Sequence, residues 1–291
     1  MRILVTGAAG FIGRAAIRRL AAHHDVVGVA HRPADAFEGV EILSLDLARG
    51  SLEALPDQVD AIVHLAQSRH HRQFPEGAED MAAVNVAATC RMLEYARRAG
   101  AGVFILASTG SVYSAAGGQA REDGSLRPAG FYAATKVAAE TLCLPYGGLF
   151  RVACLRLWTP YGPGQQDRLV PAIVGRVSEG RAVELDGEDG LSLFPTHVDD
   201  VAACLDAACA SADWSGAINV AGPERISLRV LAETVGRLVG RPPQYVATGR
   251  PPPAAPEPDL GKLRVLVAVD RFIRLEEGLR DILAGHGGGA R

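Results

Sequence analysis

Thr6-Gly7-Ala8-Ala9-Gly10-Phe11-Ile12-Gly13 follows the short apolar run Ile3-Leu4-Val5 and opens an amphipathic stretch from Phe11 to Ala22. Glycine at three positions permits a tight strand-to-helix turn, a close approach of backbone to a pyrophosphate, and packing of the helix on the strand. The first N–H groups of such a helix have no carbonyl partner within it and point at any anion placed there. A turn of this kind between a first strand and a first helix predicts dinucleotide binding, with Gly7, Gly10, Phe11, Ile12 and Gly13 as contacts.

The alternation continues outward. Apolar runs at Val26 to Ala30, Glu41 to Leu45, Ala61 to Leu65, Val103 to Ala107 and Ala153 to Leu157 read as strands buried on both faces. Between them, Ala82 to Ala99 and Tyr132 to Leu144 carry apolar residues at helical spacing. The fold class expected is therefore α/β: a doubly wound parallel Rossmann-type sheet with a smaller C-terminal substrate lobe. After about Thr159 the rhythm loosens, with Pro160, Pro163 and Pro171 and a glycine- and acid-rich turn at Asp186 to Gly190. The dinucleotide-binding domain is placed at residues 1–159 plus about 196–222, and the lobe at about 160–195 and 223–291. Prolines crowd Gly240 to Pro258, which favours an extended loop over a helix or inner strand. A closing helix is expected at Leu275 to Leu283, then a frayed tail from Gly285 to Arg291.

Bulk properties restrict the partners. A chain of 291 residues, 48% hydrophobic and 22% charged, can bury a sizeable core. Its formal charge of -3 offers no basic field, so a small molecule is expected as partner and nucleic acid is not. Met1-Arg2 leads straight into the first strand, and no apolar run is long enough to span a bilayer, so a cytoplasmic location without membrane contact is expected. Cys90, Cys143, Cys154, Cys204 and Cys209 form no CxxC pair and stand in apolar surroundings, as reduced packing residues do. His23-His24 and His70-His71 are adjacent pairs whose side chains diverge toward solvent or loop. They lack partners at ligand spacing, and no metal is expected.

The second strand ends Val29-Ala30-His31-Arg32, with Ala30 where many NAD-binding units carry an acid for the ribose 2′-hydroxyl. Arg32 and His31 would suit a 2′-phosphate, a lean toward NADP over NAD; equally, Arg32 is read as a solvated loop arginine. Asp46, after the third strand, has two readings: an acceptor for the adenine amino group, or a cap for the next helix. Tyr132 and Lys136 stand at i and i+4, on one helix face. An ammonium beside a phenol stabilises the phenolate and brings its proton exchange toward neutral pH.

With these features in place, the chain resembles the extended short-chain dehydrogenase/reductase family of the NAD-dependent epimerase/dehydratase type. Ordered matches include His64-Leu65-Ala66, Asn85, Ala107 to Tyr113, Leu155 to Pro163, His197 to Ala202, Ile218 to Gly222 and Leu275 to Leu279. The resemblance implies that Thr109 hydrogen-bonds a substrate oxygen, that Tyr132 exchanges its proton, and that Lys136 also holds the nicotinamide ribose. It further implies cofactor contacts from Leu47, Leu65 and Ala66, substrate contacts from Trp158, Thr159, Arg168 and Arg250, and a homodimer that pairs the Tyr132 helix with the Ala82 to Ala99 helix. Asp199 and Asp200 are expected to organise the return of the chain, not to catalyse, and Ser108 and Ser111 to be turn-forming hydroxyls.

Departures from the family pattern narrow the activity. Gly110 and Ser111 replace the Asp-Glu pair of the 4,6-dehydratases, which argues against dehydration. Thr159 replaces an Asn that touches a substrate diphosphate, Leu193 replaces an Arg, and Arg250-Pro251-Pro252-Pro253 lacks the usual Gly-Asp. The expected activity is an NAD(P)-dependent epimerase or ketoreductase of a nucleotide sugar. The alternatives are a reductase of a smaller carbonyl compound, in an apolar pocket with Trp158 and Phe194, and a non-catalytic dinucleotide sensor.

Overall fold

The computed structural model of the chain describes residues 1–113, 118–252 and 254–287; Pro253 and the end of the glycine-rich tail, residues 288–291, lie outside the described residues. Seven strands form one parallel sheet: β1 (Arg2–Thr6), β2 (Asp25–Ala30), β3 (Ile42–Ser44), β4 (Ala61–His64), β5 (Val103–Thr109), β6 (Arg151–Leu157) and β7 (Gly216–Val220). Their order is β7-β6-β5-β4-β1-β2-β3, and every pairing is parallel. The chain winds outward from β1 on one side, returns, and winds outward on the other. The reversal at β1 and β4 leaves a crevice beyond their carboxyl ends, where open α/β sheets bind ligands. This is the doubly wound Rossmann-type sheet expected from the apolar runs. The seventh strand, β7, adds to the six runs read as strands; it carries the polar Asn219, which is fully buried and accepts a hydrogen bond from Tyr113 Oη at 2.9 Å.

Seven helices of ten or more residues occur among the described residues: α1 (Phe11–Leu20), α2 (Ala88–Arg98), α3 (Phe131–Cys143), α4 (Leu169–Ser178), α5 (Val198–Ala210), α6 (Leu228–Val239) and α7 (Leu275–Gly287). None is long and apolar enough to cross a membrane. α2 is preceded by a helical turn, Ala78–Ala82, and a π-turn, Ala83–Ala87, so the helical path begins earlier than Ala82. α7 continues past Leu283 through Gly287, beyond the start assigned to the frayed tail.

The chain divides into two compact units. The first is Met1–Ser114, Arg121–Leu157 and Val201–Val220; the second is Ala115–Ala120, Trp158–Asp200 and Ala221–Arg291. The first contains the whole seven-stranded sheet. Its core joins the inward residues Leu4, Ile62, Phe104 and Leu106 to Met92, Leu93 and Ala96 of α2 and Ala139 and Cys143 of α3. Each large aliphatic or aromatic side chain so removed from water contributes about 1.5–3 kcal/mol.

The second unit has its own core, in which Ile173, Val174 and Val177 of α4 pack with Leu231 and Val235 of α6 and Leu279 and Ile282 of α7. Ser227 caps α6 by accepting the N–H of Val230 at 3.2 Å. A Cβ at Gly278 would lie 2.5 Å from Tyr161 Oη and 2.9 Å from His197 Cδ2, so only glycine fits in that turn of α7. Two short pairings run through the proline-rich segment: Tyr245–Ala247 pairs with Val183–Leu185, and Glu257–Pro258 with Gln119–Ala120. The segment is therefore less uniformly a loop than its prolines suggest, because edge pairings tolerate a residue without N–H.

Candidate active site

At the end of β1 the backbone turns at Gly7, whose φ of 68° is readily open only to glycine. A Cβ there would lie 2.8 Å from the Leu65 carbonyl carbon and 2.9 Å from the Ala66 nitrogen, so the turn is seated directly on the segment after β4. A Cβ at Gly13 would meet the Gly7 carbonyl oxygen at 2.2 Å, and one at Gly10 would meet the same oxygen at 3.0 Å. Gly7 and Gly13 are thus required by contact and Gly10 is tightly seated, and they leave the first-turn N–H groups of Phe11, Ile12 and Gly13 at the start of α1. A backbone cradle closed to side chains, at a helix N-terminus beyond the sheet, fits a dinucleotide pyrophosphate. The structure brings together Gly7, Gly10, Phe11, Ile12, Gly13, Leu65 and Ala66.

His64 locks this turn. Its ring is 1% exposed, with Nδ1 2.8 Å from Thr6 Oγ1 and Nε2 3.2 Å from Thr89 Oγ1. Thr89 donates its proton to the Asn85 carbonyl at 2.8 Å, and Thr6 Oγ1 accepts the Ala66 N–H at 3.2 Å. The hydroxyls thereby assign the neutral ring: Thr6 donates to Nδ1, and Nε2–H donates to Thr89. Burial, with a smaller contribution from the charge of Lys136, pushes the His64 pKa down to about 3.

His31 and Arg32 follow β2 as exposed residues. Asp46 accepts the N–H groups of Ala48 at 2.9 Å and Arg49 at 3.2 Å, closing a turn rather than capping a helix. Leu47 is buried in the core of the first unit.

The chemical residues come from β5 and α3. Lys136 is 3% exposed and donates its ammonium to the Ala107 carbonyl at 2.9 Å; its nitrogen lies 6.0 Å from the centre of the Tyr132 ring. Burial pushes the lysine pKa down to about 8, against the opposing effect of the Glu140 carboxylate. At neutral pH the side chain is still mainly charged, and a desolvated cation stabilises a neighbouring phenolate more strongly than a solvated one. Tyr132 Oη donates to Gln67 Oε1 at 3.1 Å, and the ring of His71 packs edge-on at 5.4 Å. Thr109, at the end of β5, accepts the Ser111 N–H at 3.2 Å.

Several expectations need correction. The turn-forming hydroxyl is that of Thr109, whereas Ser108 is buried and donates to Glu140. His24 and His71 lie in turn segments, as expected, but each has a neighbour that its sequence spacing does not reveal: His71 packs on Tyr132, and His24 Nε2 lies 3.4 Å from Asp206 Oδ1. Cys90 is exposed on α2, while the other four cysteines are buried.

Sequence reasoning missed Gln67, His71 and the supporting network. Asn85, in the π-turn, accepts the Ser68 N–H at 2.9 Å and donates to Thr135 Oγ1 at 2.9 Å, tying the β4 segment to α3. One signal was available: Glu140 stands at i+4 from Lys136, extending the Tyr132 face by another turn.

Trp158, Thr159, Arg168 and Arg250 belong to the second unit. Trp158 is buried and meets Phe194, also buried, edge-on at 5.9 Å. Thr159 has a φ of 38°, a strained conformation for a β-branched residue and one an Asn tolerates better. Arg168 precedes α4 at its cap. Arg250 lines a cavity of about 560 Å³ with Arg176, Ala182, Glu184, Val246 and Thr248, and donates to Asp186 Oδ1 at 3.0 Å. Asp200 accepts the Ile273 N–H at 2.9 Å, and burial raises its pKa to about 6. Among the described residues no cluster of metal-ligating side chains occurs.

Residues 3–221 match the NAD dependent epimerase/dehydratase family. The chain is 29% identical to an uncharacterized UDP-glucose epimerase, YtcB, of Bacillus subtilis, over 98% of this chain and 97% of that protein. It is 32% identical to the UDP-glucose 4-epimerase of Mycolicibacterium smegmatis, over 91% and 88%. Among solved structures, MoeE5 in complex with UDP-glucuronic acid and NAD superposes with a TM-score of 0.85 at 29% identity, covering 99% of each chain. The glycine cradle, the Tyr132/Lys136 helix and these full-length likenesses agree: the chain belongs to the NAD-dependent epimerase/dehydratase family, of the extended short-chain dehydrogenase/reductase type.

Proposed function

We propose that this protein is an NAD-dependent epimerase of a UDP-linked sugar. The observation that carries the reading is the buried Lys136 ammonium beside Tyr132 on a helix of the sheet that also forms the glycine cradle. The end-to-end likeness to UDP-sugar epimerases, and to MoeE5 bound to UDP-glucuronic acid, supports the substrate class. Gly7, Gly10, Phe11, Ile12 and Gly13 would hold the pyrophosphate of the dinucleotide, and Leu65 and Ala66 would border it. A dinucleotide held there would supply the hydride acceptor and donor that epimerisation at a sugar carbon needs.

Tyr132, as phenolate, accepts the sugar hydroxyl proton as the carbonyl forms and gives it back on reduction. Lys136 holds the phenolate charge, and Thr109 orients the oxygen. Gln67 Oε1 accepts the hydrogen bond of the Tyr132 hydroxyl, which a substrate oxygen would replace. In the second unit, Arg250 and its cavity are the anchor assigned to the diphosphate, with Arg168 and Thr159 as further contacts. NAD is the cofactor of this reading because it is present in the MoeE5 complex; the lean to NADP through His31 and Arg32 gains no support from the relatives. Dissociation constants for both dinucleotides decide it, and a tighter NADP value would reverse the assignment. A cytoplasmic homodimer through α2 and α3 completes the reading, and a single-chain mass by light scattering would remove the dimer.

The test is turnover of UDP-glucose and UDP-glucuronic acid with catalytic NAD, followed by chromatography of the isomers. Interconversion without accumulation of reduced cofactor is expected, and Tyr132→Phe should lower kcat about 10²- to 10⁴-fold with cofactor affinity kept. Stoichiometric consumption of reduced cofactor would instead indicate a ketoreductase. One observation favours a smaller carbonyl substrate: Leu193, where the family resemblance leads one to expect an Arg, is buried in an apolar pairing of the second unit. Failure of every UDP-sugar to bind would establish that second reading over the first.

A further inference from the structure

Glu140 has no part in the chemistry described so far, yet it lies one turn beyond Lys136 on the same face of α3 and is 6% exposed. Two strands bind its carboxylate. Ser108, next to Thr109 at the end of β5, donates its hydroxyl to Oε1. Arg156 of β6 donates Nη2–H to Oε2 at 2.8 Å and Nε–H to Oε1 at 3.1 Å. The same guanidinium gives Nη1–H to Tyr113 Oη at 2.7 Å and to the Glu122 carbonyl at 3.2 Å. Cys154 of β6 is the other titratable group that feels this carboxylate, and its hydrogen bond with Cys143 of α3, together with burial, holds the Cys154 thiol well above its ordinary pKa. Lys136 is faced by Glu140 from its own helix, by His64 from β4, by the Ala107 carbonyl from β5 and by the Tyr132 ring.

A buried ion pair adds little net stability compared with apolar packing of the same volume, so stability alone does not account for this one. We propose that Glu140 is a positioning residue: fixed by Arg156 and Ser108, its carboxylate keeps Lys136 in the ammonium form and ties α3 to the end of β5, where Thr109 stands. The proposal rests on Tyr132 and Lys136 being the acid-base pair. Burial works against the lysine charge, and Glu140 is the group that opposes burial. Without it, the ammonium would lose its proton at lower pH and Tyr132 would lose its cation.

Lys136 and Lys262 are the only lysines in the chain, so protein grown with carbon-13 lysine yields two Cε resonances whose titrations are read without turnover. In the wild type, Lys136 should titrate below Lys262. In Glu140→Gln its transition should fall by about one pH unit or more while that of Lys262 stays. The double variant Glu140→Gln/Arg156→Met strands no charge and should show a fall in the same direction but smaller, because the opposing Arg156 cation is lost with the carboxylate. Arg156→Lys keeps the charge and should leave Lys136 near its wild-type transition, its own added Cε resonance being identified by its absence from the spectra of the other variants. A transition that does not move in a folded Glu140→Gln or double variant overturns the proposal, and so does a double variant that cannot fold, since the pair would then be structural. If Lys136 moves as expected but no UDP-sugar is turned over, the functional reading fails and the electrostatic one stands.

Discussion

Replacing His64 by Gln should make the stability of the protein less sensitive to acid. The native ring is held near a pKa of about 3, against 6.5 when unfolded. The unfolded chain therefore binds a proton that the native chain refuses, so stability falls as pH drops below about 6.5 and stops falling near 3. Between about pH 7 and about pH 5 this one side chain accounts for a loss of about 2 kcal/mol, and over the whole window about 5 kcal/mol. His64→Gln loses the bonds to Thr6 and Thr89 at every pH, so it should be less stable by about 1–3 kcal/mol near neutrality. The gap to wild type should then narrow by about 2 kcal/mol near pH 5. Other titrating groups, such as Asp200 with its pKa raised to about 6, are common to both proteins and cancel. Urea unfolding followed by the fluorescence of Trp158 and Trp214 measures both gaps. A gap constant to within about 0.5 kcal/mol would refute a neutral, buried His64.

Two further substitutions probe the ligand contacts. Gly13→Ala places a methyl group 2.2 Å from the Gly7 carbonyl oxygen, which only a backbone shift can relieve. It should weaken dinucleotide binding about tenfold or more in calorimetry and cost about 1–3 kcal/mol of stability; a variant unchanged in both would contradict the cradle. Arg250→Ala should raise the dissociation constant of UDP about tenfold while leaving that of NAD unchanged, as expected for loss of one charge-assisted contact. Unaltered UDP affinity would remove Arg250 from the diphosphate site.

What could be read from the sequence was whatever depends on local pattern. Runs such as Ile3-Leu4-Val5 and Val103 to Ala107 are apolar on both faces because helices cover both sides of a parallel sheet, and the glycines are spaced by contacts within a few residues. The i, i+4 relation of Tyr132 and Lys136 is likewise local. The network around them is not. Gln67 and His71 reach Tyr132 across more than sixty positions, and Arg156 reaches Glu140 from β6 to α3, so neither has a spacing that a linear reading detects. The seventh strand was missed for a related reason: Asn219 interrupts its apolar run and is tolerated only because Tyr113, far away in sequence, binds it. Ser108 and Thr109 are adjacent hydroxyls on a strand, and alternation sends them to opposite faces, one to Glu140 and one to the turn.

The strand order has a consequence for how the chain reaches its native state. β1, synthesised before either strand it pairs with, lies in the interior of the sheet with β2 on one side and β4 on the other. Its hydrogen-bonding edge toward β4 stays open until residues 61–64 have emerged, which at ribosomal speeds of about 5–20 residues per second leaves it exposed for several seconds. During that interval Ile3, Leu4 and Val5 present an apolar strand with one unpaired side, the kind of surface that pairs with another chain. Nascent chains of this protein are therefore most exposed to aggregation before β4 is complete, and slower translation ahead of residue 61 would lengthen the danger.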